Sequence, residues 1–207
     1  MRRETALKIA GLLRKDLDTG LTILEISKRL TIGYRPAHTH VSEMIQEGII
    51  IGRRVGAAMQ CRLNLGDSRC RQLLAEVDLL RKEALFKENQ KLKSVLESLI
   101  AKLSESLASE VHAIVLFGSY AKGTANKSSD IDVLFIISDM KDKSVREKIE
   151  RECASYEYSH SIKISPLITD ITEFRKMLKA TELNVGKETR EYGIPLYGSE
   201  IFWRQMA

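Results

Sequence analysis

Apolar residues recur along the chain with three rhythms, and the changes of rhythm divide it. Near the start, Ala6, Leu7, Ile9, Ala10, Leu12 and Leu13 return at helical spacing and predict an amphipathic helix. Thr22-Ile23-Leu24-Glu25 is a capping-box start for a second helix running to about Leu30. After a turn at Thr31-Ile32-Gly33, a third helix is expected from Pro36, a residue suited to a first helical position, to Gly48. Its Ala37, Val41, Met44 and Ile45 share one face. Beyond Gly48 the period shortens to two. Ile49-Ile50-Ile51 leads to a tip at Gly52-Arg53-Arg54-Val55-Gly56-Ala57, and Cys61, Leu63 and Leu65 then alternate with Gln60, Arg62 and Asn64. The pattern is a β-hairpin with a basic tip.

Residues 68–108 hold neither Pro nor Gly and are rich in Leu, Glu, Lys and Arg, which predicts a long helix broken at most once. Leu73, Val77, Leu80 and Ala84, then Leu92, Leu96, Leu99 and Leu103, form its apolar stripe. The last third mixes periods. Ile114 to Phe117 and the run after Asp130 read as strands, Lys141 to Tyr156 as a helix, and Ser161 to Ile168 as a strand. Ile171 to Lys179 and Glu182 to Tyr192 read as helices. A small mixed sheet with packed helices follows, so the class is α/β in the α+β sense. The expected domains are 1–66, a linker helix over 67–110, and 111–207.

Charge sharpens this division. The net charge is +5 overall, yet residues 1–66 carry eleven Lys/Arg against six Asp/Glu, while 67–110 balance at eight each and 111–207 at fourteen each. Excess confined to the first segment points to a polyanionic partner for that segment. No run approaches the length of a membrane span, and the first residues lack a signal peptide's uninterrupted apolar core, so a cytoplasmic protein with no membrane partner is expected. Cys61, Cys70 and Cys153 are odd in number and lack ligand spacing, which argues against both a disulfide framework and a zinc site.

Candidate chemistry is concentrated in residues 116–136, LFGSYAKGTANKSSDIDVLFI. Alternation along a strand puts Asp130 and Asp132 on one face with Ile131 on the other. Adjacent carboxylates repel unless a cation lies between them, and hard oxygen ligands suit Mg²⁺ or Mn²⁺. Gly118-Ser119 ends the preceding strand at a helical turn, where backbone N–H groups and a hydroxyl can meet phosphate. Apolar-Gly-Ser, ten residues, Asp-x-Asp, apolar resembles the signature of the minimal nucleotidyltransferases of the DNA polymerase β superfamily, and the resemblance covers about the last hundred residues.

That resemblance implies that Asp130 and Asp132 ligate the metal that binds the phosphates of a nucleoside triphosphate. Gly118 and Ser119 would cradle its tail, with Lys122 and Lys127 as weaker candidates for neutralising its charge. It also implies a third carboxylate on a following strand, and there the chain departs from the family. On Ser161-Ile162-Lys163-Ile164-Ser165-Pro166 the expected acidic position is Lys163, whose ammonium would repel the metal or replace part of its charge. Asp170 and Glu173 read as capping residues of the next helix.

Residues 4–66 resemble a winged helix-turn-helix domain. Such a domain would turn Arg35, His38, Thr39 and Ser42 of its third helix toward the major groove of duplex DNA, with Arg53 and Arg54 of the wing on phosphate or in the minor groove. Proteins of that kind commonly dimerise through a helix placed like residues 67–110, so a homodimer is expected. Two readings follow. One is a DNA-binding, metal-dependent nucleotidyltransferase acting on a hydroxyl acceptor. The other is a transcription regulator whose nucleotidyltransferase domain only binds nucleotide or a protein. Some minimal nucleotidyltransferases act as antitoxins on a partner ribonuclease, which would make the partner a toxin-like protein.

Overall fold

A computed structural model describes residues 3–126, 128–160 and 162–207. Lys127 and Ser161, both named above, lie outside the described residues. The chain forms two compact units, one reaching to Val77 and the other from Asp78 to Met206.

In the first unit, α1 (Arg3–Leu13) buries Ala6, Ile9, Ala10 and Leu13. A short β1 (Leu21–Thr22) leads into α2 (Ile23–Arg29), whose capping box is complete: the Thr22 N–H donates to Glu25 Oε2 at 2.7 Å, and the Glu25 N–H donates to Thr22 Oγ1 at 3.2 Å. The third helix, α3 (Tyr34–Gln46), starts two residues before Pro36. First-turn N–H groups have no intrahelical acceptor, so proline's missing donor costs nothing there. Ala37, Val41 and Met44 of α3 are buried, and Ile45 is half-buried.

The hairpin pairs β2 (Ile50–Val55) with β3 (Ala58–Leu63), and β1 joins the far side of β3. Its turn is shorter than the sequence suggested. Gly52 continues the strand opposite Cys61, so Arg53 and Arg54 sit within β2 opposite Gln60 and Met59, and only Gly56 and Ala57 turn. A Cβ at Gly52 would crowd Ile45 and Met59, so glycine here permits close packing rather than a bend.

The expected long helix is two, α4 (Ser68–Glu88) and α5 (Gln90–Leu107), parted at Asn89. Leu73 and Val77 are buried as expected, but Leu80 is half exposed and Ala84 is exposed. In α5 the whole stripe of Leu92, Leu96, Leu99 and Leu103 is core.

The second unit has a four-stranded sheet in the order β6 (Ile164–Asp170), β5 (Ile131–Ile137), β4 (Val111–Leu116), β7 (Ile194–Tyr197). Only β5 and β6 are parallel, joined by the crossover helix α7 (Lys143–His160). That helix begins after Asp142, whose carboxylate accepts from the N–H groups of Ser144 and Val145. Ile131, Val133, Phe135 and Ile137 share a core with α5 and with Val145, Ile149, Cys153 and Tyr156 of α7. Asp132 lies on the alternate face of β5.

The remaining helices are α6 (Gly118–Lys122), α8 (Ile171–Lys179), α9 (Val185–Tyr192) and α10 (Ser199–Arg204). The start of α9 falls three residues later than the sequence suggested, because Asn184 caps it by accepting from the Lys187 N–H. Strand β6 likewise continues to Asp170, two residues past the expected end, along its ladder with β5. Strand β7 and α10 were not anticipated. Trp203 of α10 is fully buried and donates to Asp78 of α4 at 2.7 Å, as does the Ser199 hydroxyl at 2.8 Å. All three cysteines are buried and reduced, and burial pushes Cys61 up to about 11 and Cys70 and Cys153 up to about 12.

Candidate functional site

Strand β4 ends at Leu116, and the Phe117 N–H donates to the Asp132 carbonyl at 2.9 Å, which fixes the start of α6 against the start of β5. Gly118 then turns the backbone to φ +68°, in the left-handed region. Its missing side chain matters twice. The conformation disfavours any Cβ, and a Cβ built there would overlap Oδ2 of Asp132 and stand 2.8 Å from its Cγ. The Asp132 carboxylate is thus packed on bare backbone at the first residue of α6. With only five residues, α6 has little macrodipole; what it offers is a first turn that no side chain caps among the described residues, whose N–H groups lack intrahelical acceptors, and the Ser119 hydroxyl.

Asp130 precedes β5, and its partner comes from the parallel neighbour. The Ile131 N–H donates to the Lys163 carbonyl at 2.9 Å, while Ile131 pairs with Ile164 and Asp132 with Ser165. This register sets Lys163 beside Asp130 on the same face. Lys163 Nζ lies 2.5 Å from Asp130 Oδ2, and the Ser165 hydroxyl donates to the same oxygen at 3.3 Å. The Lys163 hydrogen bond holds the Asp130 carboxyl below its ordinary range. Asp132 shifts the other way, raised first by burial and then by the charges of Asp130 and Glu188.

Lys122 closes the α6 side. Its ammonium pairs with Glu188 of α9 at 2.8 Å and lies 5.5 Å from the centre of the Tyr192 ring, and the Glu188 hydrogen bond raises its pKa. Arg81 of α4 steadies α9 by donating to the carbonyls of Tyr192 and Gly193 at 2.8 and 2.7 Å. Glu188, Tyr192, Ser165 and Arg81 were not singled out from the sequence. They arrive from separate helices and a strand through tertiary packing, with no local motif to mark them.

Asp170 caps α8, accepting from the Glu173 N–H at 2.9 Å, and Glu173 pairs with Lys176 at 2.5 Å, so neither is drawn into the site. Among the described residues, no three His, Cys, Asp or Glu side chains are placed to hold a metal ion together. An open cleft of about 840 Å³ borders Asp130 and Lys163, with Gln90 and Lys91 at the α4–α5 junction on one wall and Tyr120 and Ser129 on another.

In the first unit, Arg35, His38 and Thr39 are exposed on α3 and Ser42 is half-buried; Arg53 and Arg54 are exposed on β2. The Thr39 hydroxyl donates to the Arg35 carbonyl at 3.1 Å. Among the described residues, no helix is long and apolar enough to cross a membrane.

A mixed sheet bearing Gly-Ser at one strand end and Asp-x-Asp on its neighbour defines a class of protein. The nucleotidyltransferase domain family matches residues 92–188, from α5 to Glu188. Two proteins of Methanocaldococcus jannaschii, both named as candidate protein adenylyltransferases, are similar to this chain. One is 30% identical over 92 residues, covering 44% of this chain and 85% of its own length; the other is 31% identical over 119 residues, covering 56% and 79%. A crystal structure of a toxin–antitoxin with AMP-PNP aligns at 21% identity and a TM-score of 0.36, over 52% of this chain and 80% of its own. The chain belongs to the nucleotidyltransferase domain family.

Proposed function

We propose that the second unit transfers a nucleotide from a nucleoside triphosphate to a hydroxyl of a protein, and that the first unit binds duplex DNA. The names of the two relatives favour ATP and a protein acceptor. The observation that carries the reading is the packing of the Asp132 carboxylate on the bare backbone of Gly118, which sets a carboxylate oxygen beside the first turn of α6.

Asp132 and the second oxygen of Asp130 are hard anionic donors that fit a Mg²⁺ or Mn²⁺ ion. Such an ion, when bound, neutralises phosphate charge and polarises the α-phosphoryl group. Ser119 and the first N–H groups of α6 hold the phosphate tail. Lys122, tied to Glu188 and Tyr192, reaches phosphate only by leaving that pair. The cleft beside Asp130 admits the acceptor side chain, whose oxygen bonds to the α-phosphorus as the bond to pyrophosphate breaks and the hydroxyl proton is released.

The first unit's order of helix, strand, two helices and hairpin supports a winged-helix reading. Exposed Arg35, His38 and Thr39 with half-buried Ser42 offer base contacts, and Arg53 and Arg54 offer phosphate contacts. A second reading, a regulator whose nucleotidyltransferase domain binds nucleotide without efficient turnover, is favoured by the Lys163 ammonium on Asp130.

Label from α-phosphate-labelled ATP, and not from γ-labelled ATP, is expected to enter protein in an extract, and Asp130→Asn with Asp132→Asn is expected to abolish this. ATP should bind only with a divalent cation. Equal affinity in EDTA would refute the metal role, and Mg²⁺-dependent binding without label transfer would favour the second reading.

A further inference from the structure

We infer that this site takes one divalent cation rather than two, with the Lys163 ammonium standing where a second would lie. The inference rests on the nucleotidyltransferase reading and specifies its metal content. An ammonium carries the same single positive charge as a carboxylate together with a divalent ion bound to it. A lysine standing in place of a third acid therefore removes one ligand and one ion, yet leaves the net charge of the loaded site unchanged.

The geometry makes this substitution specific. Asp130 Oδ2 receives two donors, Lys163 Nζ at 2.5 Å and the Ser165 hydroxyl at 3.3 Å, so this oxygen is already engaged. A divalent ion bound to the same oxygen would meet the ammonium at short range, and an ammonium has no lone pair to offer it. Lys163 is also held by its backbone, through the Ile131 N–H bond to its carbonyl and the Ile131–Ile164 register. Asp132 differs: among the described residues no hydrogen bond ends on its carboxylate, so it is open to an ion.

The ion pair is a poor candidate for a structural staple. With the Lys163 and Asp130 side chains 54% and 38% exposed, water screens their attraction and the pair adds little to stability. Substitutions at Lys163 should therefore leave the chain folded, which circular dichroism melting can check.

The test is a count of bound Mn²⁺ by electron paramagnetic resonance on the full chain, in the presence of α,β-methylene-ATP, which cannot release pyrophosphate. One Mn²⁺ per chain is expected for the native protein and two for both Lys163→Asp and Lys163→Glu. Lys163→Met should keep one Mn²⁺ but bind the analogue roughly tenfold more weakly, since about 1.4 kcal/mol of charge neutralisation is lost without replacement. Two Mn²⁺ in the native protein, one in both acidic variants, or undiminished analogue affinity in Lys163→Met would each overturn the inference. Failure of the analogue to bind any form, with or without Mn²⁺, would instead overturn the nucleotidyltransferase reading beneath it.

Discussion

Replacing Gly118 with alanine tests the centre of the site, because a second glycine supplies the control. Gly118 opens α6 and Gly123 caps its end with nearly equal torsions, φ +68° and +72°, so alanine at either meets the same left-handed strain, about 1–2 kcal/mol. Their surroundings differ. A methyl at Gly123 would have no heavy atom within 4 Å, whereas one at Gly118 would overlap Asp132 Oδ2. Relieving that overlap requires the carboxylate to rotate away or α6 to part from β5, and overpacking of this kind adds about 1–3 kcal/mol. Gly118→Ala should therefore destabilise the chain by about 2–5 kcal/mol and Gly123→Ala by about 1–2 kcal/mol, measured by urea denaturation. Moving the carboxylate by about 1 Å should lower nucleotide transfer about 10²-fold in Gly118→Ala, while Gly123→Ala keeps its rate. Indistinguishable stability and transfer rate in the two variants would refute the claim that the Gly118–Asp132 contact organises the site.

Two further outcomes are expected. Arg53→Ala with Arg54→Ala should weaken duplex binding for all sequences and reduce the log–log salt slope by about 1.8, at roughly 0.9 per phosphate contact; an unchanged slope in a fluorescence-anisotropy titration would remove β2 from the interface. Asp78→Ala should strand the Trp203 indole N–H and the Ser199 hydroxyl in the core and destabilise the chain by about 2–4 kcal/mol, read by thermal melting and a change in tryptophan emission.

What could be read from the sequence was what short-range chemistry specifies. The Thr22–Glu25 capping box, the burial of Ala37, Val41 and Met44 on α3 and the shared face of Asp130 and Asp132 depend on neighbours a few residues away. Lys163 was marked only by the family resemblance, which expects an acid on that strand; the strand's register was open in the sequence and is fixed by the parallel pairing of Ile131 with Ile164. The hairpin tip was misjudged at Gly52, since glycine signals both turns and close packing, and here the Ile45 side chain decides between them. Strand β7 has only four residues, too few to show a period, although Gly193 and Gly198 bracket it. Glu188 gave no signal, because its partner Lys122 lies 66 residues away and the two meet only when α6 packs against α9.

Burial of the three cysteines has a practical consequence. With thiols raised to about 11 or 12, fewer than about one in 10³ of them is a thiolate at neutral pH, and the thiolate is the reactive form. Maleimide and iodoacetamide reagents should thus pass over the native protein, whereas a cysteine introduced at exposed Arg53 or Lys163 would react selectively. A fluorophore could then be attached to β2 or beside Asp130 without first removing the native thiols. Two such labels, one in each unit, would let energy transfer report whether DNA on one changes its distance from nucleotide on the other.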